Sequence, residues 1–116
     1  MREVNFYKTA DGKCPVAEYL RSLPSDVRSK ITKVFEIIKN MAVVPKNYFK
    51  HLAGTEFYEC RVEFTGNTYR LLGFFYGERL IILTNGFMKK TQKTPRSEIE
   101  IAKKRLAELK ERGLDD

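Results

Sequence analysis

What the chain has little of excludes several chemistries at the outset. Its 116 residues hold one histidine, two cysteines and no tryptophan. Cys14 and Cys60 are widely separated, so they form neither a disulfide framework nor a Cys-x-x-Cys metal clip. One His with two Cys makes a poor ligand set for zinc. No run approaches the roughly 20 apolar residues that a membrane span needs. Leu80–Leu83 is typical of the short apolar runs present. No Walker-type or G-x-G-x-x-G loop occurs, so the common nucleotide-binding turns are missing. Met1-Arg2-Glu3-Val4-Asn5 carries no apolar signal region. The expectation is a reduced, cytoplasmic domain with no metal and no cofactor.

What is present is a foldable core and an excess of positive charge. Hydrophobic residues make up 42% and aromatics 12%, enough to exclude a wholly disordered chain. The length suits one domain over residues 1–116. Lys and Arg number 22 against 15 Asp and Glu, a net charge of +7. Such an excess on a small domain suggests a polyanionic partner, which charge alone does not identify.

The hydrophobic pattern predicts the order βααβββα: an α+β fold with a mainly antiparallel four-stranded sheet, two N-terminal helices and one C-terminal helix. Residues 3–8 alternate as a short strand with Val4 and Phe6 inward. Asp11-Gly12-Lys13 is a turn, and Cys14-Pro15 opens a helix ending near Leu23. Pro24-Ser25-Asp26 starts the next helix, where Val27, Ile31, Val34, Ile38 and Met41 form one stripe. Arg28, Lys30, Lys33 and Lys39 lie outside it and read more simply as a solvated face than as RNA contacts. Lys46 to Thr55 reads as a loop carrying Lys50, His51 and Gly54.

Three strands follow. In Phe57–Phe64, Tyr58, Cys60, Val62 and Phe64 share one face, and Phe57, Glu59, Arg61 and Glu63 share the other. Cys60 reads as a small buried side chain. Gly66-Asn67 is the expected two-residue turn, setting Glu63 opposite Arg70 and Arg61 opposite Leu72. Tyr69–Tyr76, a Gly77-Glu78 turn and Arg79–Asn85 complete the meander. Gly86 to Thr94 reads as a basic connector. Thr94 is expected to cap the last helix with Pro95 at its first position.

The charge is unevenly distributed. Residues 1–54 carry net +5, residues 55–86 net −1 and residues 87–116 net +3. Arg61 and Arg70 therefore lie mid-strand in a nearly neutral segment. Two readings stand for them: ion pairing with Glu59 and Glu63 across the sheet, or a pair of anion receptors whose forked guanidinium groups fit phosphate. His51, the only histidine, precedes Leu52 and lies off the arginine face by sequence, which favours a structural role. Alternation places Tyr58 in the core. Phe87, beside Lys89, suits either core packing or stacking on a base.

Tyr58-Glu59-Cys60-Arg61-Val62, Tyr69-Arg70-Leu71 and Gly86-Phe87-Met88-Lys89-Lys90-Thr91-Gln92-Lys93-Thr94-Pro95 together resemble the RelE/HigB superfamily of bacterial toxins, and more narrowly its phage-derived HigB-like branch. The Phe-Met-Lys-Lys-Thr-Gln-Lys-Thr-Pro run is the most specific part. The resemblance covers nearly the whole chain and implies a RelE-like fold. It also implies a type II toxin that enters the ribosomal A site and cuts mRNA, contacts ribosomal RNA, and is neutralised by a cognate antitoxin, often a helix-turn-helix protein. Residue by residue, it puts the site at Arg61, Arg70, Lys89 and Lys90. Glu59 departs from the pattern, since better-studied RelE members have lysine there.

Metal-free RNA cleavage needs a base for the 2′-OH, cations for the phosphorane-like charge and an acid for the leaving oxygen. The expected catalytic set is Arg61 and Arg70 for charge, Glu59 as candidate base, and Lys89; either Lys89 or Lys90 protonates the leaving group or holds the backbone, and the pattern assigns no single acid. Lys90, Lys93, Lys50 and Phe87 are the expected RNA contacts. A non-catalytic RNA- or ribosome-binding module of the same fold, and a basic protein serving an acidic protein partner, are the alternatives.

Overall fold

The computed structural model describes residues 1–89 and 93–113, with the Lys89 side chain outside that description. The elements are β1 (Glu3–Phe6), α1 (Pro15–Arg21), α2 (Ser25–Asn40), β2 (Phe49–His51), β3 (Tyr58–Phe64), β4 (Asn67–Tyr76), β5 (Leu80–Lys89) and α3 (Arg96–Arg112). They form a five-stranded sheet in the order β1-β5-β4-β3-β2. β1 runs parallel to β5, and the other neighbours are antiparallel. The α+β class expected from the pattern is present, with one strand more than the four expected. The extra strand is β2, which pairs Phe49 with Cys60, Lys50 with Glu59 and His51 with Tyr58. Three residues are too few to show a period, so the segment read as a loop.

Helices cover both faces of the sheet. One core joins Val16 of α1 and the α2 stripe to Cys60, Val62, Leu71, Ile81 and Leu83. The other joins Ala102, Leu106 and Leu109 of α3 to Phe57, Leu72, Phe74, Ile82 and Phe87. Strand alternation sends successive residues to opposite cores, as Leu71 and Leu72 show. In α2, Val27, Ile31, Val34, Phe35 and Ile38 are buried. Met41 is exposed, because the helix ends at Asn40 and Met41 has already turned to extended backbone.

Two local features correct the expected register. The β3–β4 turn is Thr65-Gly66, since Phe64 pairs with Asn67. Both turn residues have positive φ, 48° and 83°, as a type I′ hairpin requires. Arg61 therefore lies opposite Arg70, and Glu63 opposite Thr68. The displacement is two residues, so every side chain keeps its expected face. The second turn is also longer than expected: Tyr76 pairs with Leu80, leaving Gly77, Glu78 and Arg79 in the loop.

β5 continues to Lys89, well into the expected connector. A bulge makes this possible: Leu72 pairs with Asn85 but Gly73 pairs with Leu83, leaving Thr84 as the extra residue. The Thr84 hydroxyl, with its single proton, lies within donor range of both the Leu72 carbonyl oxygen and Asn85 Oδ1, at 3.1 and 2.7 Å. Beyond the bulge the inward positions change parity, which puts Phe87 with Ile82 beneath α3. Gly86 lies under the Tyr19 ring, where any Cβ would come within 2.4 Å of a ring carbon. No helix among the described residues is long and apolar enough to cross a membrane.

Candidate nucleic-acid interface

The face of β3 and β4 that α3 covers is apolar over one half only. Phe57, Leu72 and Phe74 lie under the helix. Farther along, Glu59, Arg61, Glu63 and Arg70 occupy the same face. Arg61 and Arg70 are directly opposed across the ladder. Like charges in that position destabilise a sheet, and a local rule broken without benefit to folding is the mark of a functional position.

Arg70 is 5% exposed and Glu59 4% exposed, and they form a buried ion pair between Nη1 and Oε1. The other Glu59 oxygen accepts a hydrogen bond from the Thr94 hydroxyl at 2.5 Å. Each oxygen of Glu59 thus carries a donor, and one of them holds Arg70. Thr94 was expected to cap α3. Instead Pro95 takes the N-cap position, no side chain caps the helix, and the threonine faces the site. Arg61 is half-buried and pairs through Nη2 with exposed Glu63 at 2.6 Å. The Nε atoms of Arg61 and Arg70 are buried with no hydrogen-bond partner among the described residues. A buried N–H without an acceptor is costly.

These groups line an open cavity of about 470 Å3. Lys46, Lys50, Arg61, Arg70 and Lys93 supply its cations, with Glu59 and Thr94 at the wall and Ile99 of α3 beside them. Lys50 reaches the site through β2, which sets it opposite Glu59. Of the expected site residues, the structure gathers Glu59, Arg61, Arg70, Lys50 and Lys93 here. Phe87 is not presented for stacking: it is 9% exposed and packed beneath α3. Lys90 and the Lys89 side chain lie outside the described residues, although Lys89 itself pairs with Thr68.

Lys46 and Thr94 were missed as site residues. Nothing local marks Lys46, and a threonine before proline reads first as a helix cap. Next to Glu59 but on the reverse face, Cys60 is fully buried; burial, with a smaller push from the Glu59 charge, raises its thiol to about 12. His51 sits with Phe49 and Tyr58, its ring 5.1 Å from that of Tyr58 and its Nε2 2.6 Å from the Thr55 carbonyl oxygen. By alternation along β2 it faces away from Lys50 and the arginines.

The site is thus a pair of opposed arginines on an open, basic sheet face of a small α+β protein, flanked by α3. A family model described as Phage derived protein Gp49-like (DUF891) matches residues 18–107. That is more than three quarters of the chain, which belongs to this family and with it to the RelE/HigB-like toxin superfamily. No curated protein matches the chain.

Proposed function

We propose that the chain is the HigB-like toxin of a type II toxin–antitoxin pair and that it cuts mRNA in the ribosomal A site. The observation that carries this reading is the opposition of Arg61 and Arg70, whose Nε–H groups have no partner among the described residues, in a cavity lined by lysines. The scissile phosphate sits between the two guanidinium groups. The RNA 2′-oxygen loses its proton to the Glu59 carboxylate and attacks phosphorus, and the P–O5′ bond breaks. The 5′-oxygen takes up a proton, leaving a 2′,3′-cyclic phosphate and a 5′-OH. Arg61 and Arg70 stabilise the charge of the pentacoordinate state, a contribution of about 10²–10³-fold per donor. Glu59 and Thr94 hold Arg70 in place. Lys50, Lys90 and Lys93 bind the flanking backbone, and Lys89 delivers the proton to the leaving oxygen. Alignment of the mRNA by the ribosome supplies a large share of the rate. A helix-turn-helix antitoxin is the proposed protein partner, and ribosomal RNA the surface met by the basic helices.

Induced expression in a bacterial host with mapping of mRNA 5′ ends tests this reading. New ends within translated frames are expected for the wild type, and none for folded Arg61→Ala or Arg70→Ala protein. Undiminished cleavage by a folded double variant would remove both arginines from the site.

A further inference from the structure

We propose that a second cavity, joined to the phosphate site across Arg61, receives a nucleobase and selects guanine. The proposal rests on the RNA-cleaving reading above and adds the base preference of that site.

The cavity measures about 340 Å3 and is lined by Lys30, Val34, Asn47, Tyr48, Val62 and Glu63, with Arg61 as the wall shared with the phosphate site. It exists because β2 is short. β2 pairs with β3 only from Tyr58 to Cys60, so among the described residues the remaining length of β3 has no strand neighbour on that side. The segment leading into β2 is nevertheless held in place: Tyr48 N–H donates to the Pro45 carbonyl at 3.0 Å, and Arg61 N–H to the Tyr48 carbonyl at 2.9 Å. Lys30 stands at the rim on α2, its Nζ 5.6 Å from the centroid of the Phe64 ring.

The two cavities differ in chemistry. The first gathers cations around a carboxylate already neutralised by Arg70, which suits a phosphodiester. The second has buried apolar Val34 and Val62 beside exposed polar groups of both kinds. A base has apolar faces and a hydrogen-bonding edge, and single-stranded RNA is read through such edges. The Glu63 carboxylate only accepts, the Lys30 ammonium only donates, and the Asn47 amide does both. Guanine matches this set: its N1–H and 2-amino group are adjacent donors for a carboxylate, and its O6 is an acceptor for lysine or amide. Glu63 is held at present by Arg61, but an ion pair this exposed is worth little and exchanges readily. Guanine binding would draw Glu63 away and release Arg61 to the phosphate, linking base recognition to assembly of the charge-stabilising pair.

The test uses the purified full-length protein and trinucleotides carrying 2′-O-methyl groups, which lack the nucleophile. Each set varies one base at one position, and affinity is read by fluorescence anisotropy. At one position guanine is expected to bind about tenfold more tightly than the other three bases. Inosine, which lacks the 2-amino donor, should lose most of that margin. Asn47→Ala and Glu63→Gln should bring the ratio within about twofold. Both positions are exposed, and circular dichroism verifies folding. Absence of base preference in the wild type overturns the proposal, as does an unchanged preference in both variants. Equal weakening for all four bases in Asn47→Ala overturns it in favour of a second phosphate subsite. Arg70→Ala should weaken all trinucleotides alike. If it changes none while the guanine preference persists, the phosphate-site reading fails and the base pocket stands.

Discussion

The two faces of the β3–β4 ladder are built to opposite rules. Toward α1 and α2 the ladder presents Cys60, Val62, Tyr69 and Leu71, all buried in one continuous core. Toward α3 it presents apolar residues at one end and Glu59, Arg61, Glu63 and Arg70 at the other. The first face is explained by water exclusion alone. The second keeps an arginine at 5% exposure and sets another directly opposite it. A buried ion pair is weak evidence for stability, since an apolar pair of similar size often serves the fold as well. The contrast separates what holds the sheet together from what the sheet presents to a ligand.

The largest effect that tests this contrast is on activity. Arg70→Ala should lower translation-dependent cleavage by about 10²–10³-fold, read from mRNA 5′-end counts after induction. Comparable cleavage would make the charged face structural after all.

Stability effects come next. Glu59→Leu alone strands a buried guanidinium and should cost about 3–5 kcal/mol, measured by urea unfolding. Adding Arg70→Met should recover most of that loss while leaving cleavage abolished. On the opposite face Ile31, fully buried in α2, should lose about 2–5 kcal/mol as alanine, and no second substitution of a charged residue should restore it.

Binding effects are smaller. Lys50→Ala and Lys93→Ala should each weaken RNA binding and lower the salt slope by about one unit if each lysine meets one phosphate. An unchanged slope would place that lysine off the backbone path.

The smallest effect concerns Cys60. Burial holds its folded-state pKa near 12, above the usual thiol value, so the folded chain keeps a proton that the unfolded chain releases. This contribution is complete below about pH 8.5 and is lost as pH rises toward 12. Native alkylation at pH 8 should modify half-buried Cys14 in preference to Cys60, as peptide mass mapping would show.

Most of the scaffold was legible because its periods are long. α2 spans 16 residues and α3 spans 17, enough for a stripe to stand out, and Phe57–Phe64 alternates without interruption. Sequence pattern and structure part where tertiary context overrides local pattern. β2 is recognisable only through its pairing with Tyr58–Cys60. The hairpin turn takes Thr65 at positive φ, a conformation that threonine seldom adopts, so Gly66-Asn67 looked the better turn. The Thr84 bulge changes parity within β5 and sends Phe87 into the core. At the site, Arg61, Arg70 and Glu59 were legible because mid-strand charge is anomalous. Lys46 and Thr94 were not, since only folding brings them to the arginines.

The parallel seam between β1 and β5 bears on the order of assembly. Val4 pairs with Ile81, and Tyr7 N–H donates to the Leu83 carbonyl at 2.8 Å. β1 is thus joined to β5 across most of the chain. The β3–β4–β5 meander closes through short turns, whereas this seam requires closing a long loop. During synthesis the N-terminal strand must wait for residues 80–83 to emerge, and the sheet stays open along one edge until then. Pulsed hydrogen exchange should find the Tyr7 amide protected later than those of β4.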